Sequence, residues 1–289
     1  MSALPGSPLM EPALSLLGLD AREVTATTGG SSLPVFRITD IHARTYALRI
    51  APPAAAVVLD RESRCLTAAA AAGVPCPKIV RRADAPAVSV LLTSWEPGAP
   101  LLSVFQDNPN GAAALARAAG RLQAELHAGG ASAALAELDQ GWAYPQSSEE
   151  ASALQACPDD GPRTLVHLDF HPLNLLAEGG RLTAILDWVN AGAGDARRDV
   201  ARTIAIMALD AGPMDSPLRG VVMGLLDEWV QGYEERAGPL HALRPYLVWA
   251  GLATIRDLAV KRSLHQLAWM RATVSGWADD GQPIPAPDR

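Results

Sequence analysis

The chain has 289 residues, of which 49% are hydrophobic and 19% charged, with a formal net charge of -7 at pH 7. That size and mix suit one large domain or two lobes of a globular protein, and the acidic balance argues against nucleic acid as a main partner, because phosphate binding needs basic surface. The cysteines Cys65, Cys76 and Cys157 form no CxxC pair, so neither a zinc knuckle nor a disulfide framework is indicated.

No basic region precedes an apolar run in the first residues, so no signal peptide is expected. The longest apolar segment, 246–260, carries Arg256 and Asp257 and is too short to span a bilayer. The expectation is a cytoplasmic protein without a membrane partner, working as a monomer or homodimer.

Along the chain, Pro12 to Leu19 is a short helix candidate. Val24 to Ile38 reads as a strand, a tight turn at Gly29-Gly30 and a return strand. Thr45 to Ile50 is a further strand, apolar apart from Arg49 and closed by Pro52 and Pro53. Asp60 to Ala72 reads as an alanine-rich helix with Asp60 as N-cap and Gly73 as its stop. Val74-Pro-Cys-Pro77 forces an extended chain, and Ile79 to Arg82 and Val88 to Thr93 follow as strands.

From Ser94-Trp-Glu-Pro-Gly-Ala-Pro100 the composition turns polar and then helical. This places a boundary between an N-terminal lobe, 1–94, and a C-terminal lobe, 95–289. Gly111 to His127 reads as a helix and Asp139 to Arg163 as a surface loop. Short strands surround 164–188. Helices are expected over Arg197–Leu209, Pro217–Gly238, His241–Leu258 and Val260–Trp277, ahead of a proline-rich tail.

The chemistry concentrates at His167-Leu-Asp169-Phe-His171-Pro-Leu-Asn174, followed by Ile185-Leu-Asp187. Polar groups at the ends of apolar runs cost free energy unless they are paired or used. The spacing His-x-Asp-x-x-x-x-Asn, then an aspartate at a strand end, is that of a kinase catalytic loop and its metal aspartate. In that reading Asp169 is the base that aims the acceptor hydroxyl. Asn174 and Asp187 are the oxygen ligands of Mg2+, a cation that needs few protein ligands. His167 and His171 hold the loop in shape. Gly29, Gly30, Ser31 and Ser32 form a phosphate loop whose backbone N–H groups approach closely. Arg49 contacts the phosphates and Glu62 holds Arg49. Asp199, in Gly194-Asp195-Ala-Arg-Arg-Asp199-Val-Ala, pairs with loop backbone at the start of a helix, and Arg202 joins that network.

At these residues the sequence resembles the aminoglycoside phosphotransferase family, small-molecule kinases related to choline kinases and distantly to protein kinases. Gly29 to Ser32, Ala47-Leu-Arg49, Glu62, Ala72 to Pro77, Leu126-His-Ala128, His167 to Asn174, Ile185 to Trp188 and Gly194 to Ala201 match in family order. The resemblance implies an α+β, protein-kinase-like two-lobed fold, with an N-terminal antiparallel sheet plus one helix and a mostly helical C-terminal lobe. It implies adenine binding at a hinge, Thr93, Ser94 and Trp95. It also implies ATP or another NTP with Mg2+ as donor, and a small-molecule hydroxyl, on an antibiotic, amino alcohol or sugar, as acceptor. Leu168 stands where the family usually has glycine, Arg49 replaces the lysine of better-known kinases, and no Ala-Pro-Glu follows, which argues against a protein substrate.

Two other readings remain at this point. A nucleotide-binding protein without catalysis would keep the same residues. A metal-dependent hydrolase would need His167, Asp169 and His171 on one strand face. Asp210, Asp215, Asp227, Glu228, Glu234 and Glu235 form either an acidic acceptor pocket or a solvated helix face.

Overall fold

Alternating apolar residues build the strands of residues 21–94 into one antiparallel sheet. In this computed structural model, which describes residues 8–27, 33–107, 109–129, 135, 144–158, 160–210 and 219–279, the strands are β1 (Ala21–Ala26), β2 (Val35–Asp40), β3 (Thr45–Ala51), β4 (Ile79–Ala85) and β5 (Val88–Ser94), in the order β1-β2-β3-β5-β4. The short helix α1 (Met10–Leu17) ends at Gly18, whose φ of +57° only glycine adopts at little cost. Met10, Ala13 and Leu17 pack with Ile38, Leu48 and Ile50 on one face. Because side chains alternate along a strand, Arg49 and Ala51 turn to the opposite face.

That opposite face carries α2 (Ala56–Ala71). The helix starts four residues before the expected Asp60, following a 3-10 turn over Pro53–Ala55. Prolines fit a helical first turn, where their missing N–H is not needed, so Asp60 is interior rather than a cap. Gly73, at φ +75°, ends the helix. The buried stripe of α2 is Leu59, Glu62, Cys65, Leu66 and Ala69, so one carboxylate is carried inside with the apolar residues.

After β5 the architecture becomes helical. A two-residue strand, β6 (Ala99–Pro100), leads to α3 (Leu101–Asp107) and α4 (Pro109–Ala128). Part of the expected loop 139–163 is helical: α5 spans Ser148–Ala156. Ser147 caps it by accepting from Glu150 N, while the Glu150 carboxylate accepts from Gln146 N. This Ser-x-x-Glu pattern is a helix-start signal that the polar composition of the segment hid. Strand β7 (Arg163–Val166) pairs with β10 (Gly192–Asp195), and β8 (Leu175–Glu178) forms a hairpin with β9 (Arg181–Ile185). Among the described residues four helices follow: α6 (Ala196–Asp210), α7 (Arg219–Ala237), α8 (Arg244–Leu258) and α9 (Leu264–Trp277).

One apolar cluster joins α2 and Leu91 of β5 to α4, α6, α7 and α8. Trp188, Trp229 and Trp249 are fully buried in it, so they are core residues rather than exposed platforms. Helices α4 and α7 approach closely because glycines face the partner backbone. A Cβ on Gly120 would lie 1.9 Å from Trp229 O, and one on Gly232 would lie 2.0 Å from Arg117 O. Among the described residues no helix is long and apolar enough to cross a membrane.

Candidate functional site

The chain leaves β7 at Val166 and turns sharply at Leu168, whose φ is +62°. A side chain in this left-handed region costs about 1–2 kcal/mol, and the surrounding bonds hold it there. Asp199, fully buried in the first turn of α6, accepts from His167 N at 3.1 Å and from Leu168 N at 2.6 Å. Arg202, one turn further on, donates Nε to Leu168 O at 3.3 Å. The same guanidinium reaches Thr254 Oγ1 at 2.6 Å and Asp257 Oδ2 at 3.0 Å on α8. The residue before Asp169 is therefore gripped at its N–H by an anion and at its carbonyl by a cation, each such bond contributing about 1.5–3 kcal/mol.

Burial alone would raise the pKa of Asp199, but the His127 hydrogen bond and the neighbouring imidazoles outweigh it and hold the carboxyl below its ordinary range. His127 Nε2 lies 2.9 Å from Asp199 Oδ2 and its Nδ1 lies 2.9 Å from Tyr233 OH. Neither His127 nor Tyr233 was given a role on sequence grounds. The only local signal is a polar residue in the buried stripe of α4 beside Leu115, Leu122 and Leu126.

His167 is buried, which pushes its imidazole pKa down toward the neutral form. Its Nε2 lies 2.9 Å from Leu186 O, so Nε2 carries the proton and Nδ1 accepts from Asp169 N at 3.3 Å. The ring packs edge-on against Trp188.

Asp169, His171 and Asn174 lie within one tight turn. Asn174 Nδ2 donates to Asp169 Oδ2 and to Asp169 O, both at 2.9 Å, and lies 3.2 Å from His171 Nε2. His171 Nε2 is 3.4 Å from Asp169 Oδ1. Burial pushes the Asp169 pKa up, but His171, Arg202 and His167 together bring it down to about 2. It is an ionised acceptor at neutral pH. The backbone of Asn174 also accepts from Leu186 N at 2.7 Å, which ties the loop to the strand end that carries Asp187.

Asp187, at φ +60°, meets Arg49 Nη2 at 2.9 Å, and Arg49 Nε lies 3.1 Å from Glu62 Oε1. Burial raises Glu62 to about 7, with Arg49 opposing and Asp187 reinforcing the rise. Arg49 Nη1 and Glu62 Oε2 are buried without a hydrogen-bond partner. Sheet, helix and hairpin thus meet in one charged chain.

Thr93 is buried in β5 opposite Ala47 and Ile79. Ser94 Oγ donates to Glu96 Oε1 and accepts from Lys78 N, and the partly exposed ring of Trp95 lies under the Arg37 guanidinium. Gly29, Gly30, Ser31 and Ser32 lie outside the described residues.

Residues 167–171 form no strand, so His167, Asp169 and His171 do not share the strand face that a metal-dependent hydrolase would need. Among the described residues no group of three or more His, Cys, Asp or Glu side chains is arranged to hold a metal ion. Most of the acidic C-terminal residues have other partners. Glu228 and Glu235 pair with Arg117, Glu235 also with Arg121, and Asp210 with Arg262. Glu234 accepts from Leu240 N. Asp227 is exposed, and Asp215 lies outside the described residues.

Residues 23–246 match the profile of the APH phosphotransferase enzyme family. Comparison with curated protein sequences finds no match. Among solved structures, a thermostable mutant of aminoglycoside phosphotransferase APH(4)-Ia, in ternary complex with AMP-PNP and hygromycin B, has a TM-score of 0.64 at 19% identity, over 96% of this chain and 100% of that one. Amicoumacin kinase hAmiN, in complex with AMP-PNP, Ca2+ and Ami, has a TM-score of 0.64 at 16% identity, over 96% and 94%. Macrolide 2'-phosphotransferase MphH from Brachybacterium faecium has a TM-score of 0.55 at 19% identity, over 94% and 98%. At these identities the likeness is one of fold.

Proposed function

The chain belongs to the APH phosphotransferase enzyme family, and from that premise we propose that it moves the γ-phosphate of ATP to a hydroxyl of a small molecule, with Asp169 as the base. The carrying observation is the placement of Asp169: a carboxylate on a loop fixed by Asp199, Arg202 and Asn174. Phosphoryl transfer asks the protein mainly to position groups and neutralise charge. A fixed carboxylate aims the attacking hydroxyl and accepts its proton as the bond to phosphorus forms.

The residues present fit Mg2+. Asp187 offers a carboxylate, and Asn174, whose amide nitrogen is engaged by Asp169, keeps its oxygen for a cation. Magnesium favours such hard oxygen donors and completes its shell with water and phosphate. When bound, it supplies charge neutralisation on the phosphates. Arg49 would contact the phosphates and Glu62 would orient it, while Gly29 to Ser32 would cover them. Thr93 to Trp95 would receive the base at the junction between the lobes, which we place between residues 94 and 95. The fold neighbours that hold AMP-PNP beside hygromycin B or Ami support a nucleotide donor and an antibiotic-like acceptor.

The test is ADP release from MgATP against aminoglycosides, macrolides, amino alcohols and sugars. One acceptor class should raise the rate above the water background. Asp169→Ala should lower that rate by about 10²–10⁴ while nucleotide affinity persists. Turnover at the unmodified rate in this variant would remove Asp169 from the chemistry, and the absence of ADP release with every acceptor would make the protein a silent nucleotide binder.

A further inference from the structure

Helices α4, α6 and α7 each carry a polar pair one helical turn apart inside the core: Gln123 and His127, Asp199 and Thr203, Trp229 and Tyr233. The first chain runs from Tyr233 through His127 to Asp199 and ends on the N–H groups of His167 and Leu168, the two residues before Asp169. The second runs beside it. Trp229 Nε1 donates to Gln123 Oε1 at 3.0 Å, Gln123 Nε2 donates to Thr203 Oγ1 at 2.9 Å, and Thr203 Oγ1 donates to Phe170 O at 2.8 Å. Phe170 is the residue after Asp169.

The polarity of the second chain is fixed at both ends. An indole N–H can only donate and a carbonyl oxygen can only accept, so the Gln123 amide and the Thr203 hydroxyl have one arrangement that satisfies every link. Gln123, Thr203, Trp229 and Phe170 are each at most 2% exposed, which removes water as a competing partner. The glycines of α4 and α7 bring the backbones close enough for Gln123 to reach Trp229. Apolar side chains of similar volume could fill this space without polar groups. What they could not do is fix the carbonyl beside Asp169.

We propose that Gln123 and Thr203 are positioning residues for the phosphoryl transfer, setting the angle of the Asp169 carboxylate from its C-terminal side as Asp199 sets it from the N-terminal side. The inference rests on Asp169 being the base. Neither residue touches the nucleotide sites named above, so their effect should fall on turnover and not on ATP binding. Displacements near 1 Å can change rates by about 10²-fold.

The experiment measures ADP release from MgATP, with water as acceptor, for Thr203→Val, Thr203→Ser and Asp169→Asn, with thermal midpoints alongside. Thr203→Val keeps the shape and removes the hydroxyl. We expect kcat to fall about tenfold with KM for ATP within about twofold, and Thr203→Ser to restore most of the rate. In the Asp169→Asn background, Thr203→Val should cause no further loss. Gln123→Met breaks the same chain one step earlier and carries the test if Thr203→Val does not fold. An unimpaired Thr203→Val beside an impaired Asp169→Asn would overturn the relay and leave the base intact, as would an equal loss in both backgrounds. An unimpaired Asp169→Asn would overturn the reading on which the relay rests.

Discussion

The guanidinium of Arg49 on β3 meets the carboxylate of Asp187, 138 residues further along the chain, at 2.9 Å. Its Nε simultaneously holds Glu62 of α2 at 3.1 Å. One side chain thus bridges two carboxylates through two different nitrogens, which a planar fork can do and a single ammonium cannot. Arg49→Lys should therefore uncouple the pair even though charge is conserved. The expected outcome is a KM for ATP raised about tenfold, equivalent to about 1.4 kcal/mol, with the fold retained by circular dichroism. Wild-type KM in that variant would show that the fork geometry is not used.

Glu62 gives a pH dependence of defined sign. Its pKa is 4.5 ordinarily and about 7 in the folded chain, raised by burial against the pull of Arg49. Below about 4.5 both states hold the proton. Between these values the folded chain keeps a proton that the unfolded chain has released, so stability falls as pH rises through the window. Above 7 the loss is complete and on the order of 3 kcal/mol at most. Urea unfolding of wild type and Glu62→Gln at pH 5 and pH 8 tests this: the stability of the variant relative to wild type should increase at the higher pH. An equal difference at both pH values would contradict it.

The sheet was legible because strand alternation and turn residues are local, and the Asp169 loop was legible because its spacing sets which side chains share one turn. Asp169, His171 and Asn174 accordingly sit in mutual contact range. What was not legible depends on pairing between distant helices. Nothing in Leu126-His127-Ala128 indicates an aspartate 72 residues on, and nothing near Gln123 points to Trp229. The six acidic residues looked equivalent in sequence, yet Glu228 and Glu235 are held by Arg117 from another helix. The start of α2 and the existence of α5 were hidden for local reasons, by proline and by polar composition.

Close packing of α4 on α7 predicts a position-specific response to alanine. Alanine normally improves a helix interior by about 1 kcal/mol over glycine. At Gly120 or Gly232 its methyl would lie within 2.0 Å of a backbone oxygen, so the helices must separate, and overpacking of this kind costs about 1–3 kcal/mol. Gly224 on the same α7 has open space around it. Gly120→Ala and Gly232→Ala should lower the thermal midpoint, whereas Gly224→Ala should leave it unchanged or raise it. A uniform response across the three would disprove the steric account.

Leu168 combines a left-handed backbone, φ +62°, with a fully buried side chain. The family's usual glycine at this position removes the backbone strain but fills no space. Leu168→Ala loses the packing, at about 2–5 kcal/mol, and keeps the strain, because alanine has the same Cβ clash. Leu168→Gly loses slightly more packing and releases the strain. Glycine should therefore be the better of the two by about 1 kcal/mol, the reverse of the order at ordinary positions, where alanine exceeds glycine by about 0.5–1 kcal/mol. The hydrogen bonds of Asp199 and Arg202 to the backbone of residue 168 do not depend on its side chain, so both variants should keep the loop and much of the turnover. Urea unfolding free energies of the two variants decide the matter. If alanine proves equal or superior, the strain at Leu168 is not stored in the folded protein, and the grip of Asp199 and Arg202 on that residue's backbone holds a conformation the loop already prefers.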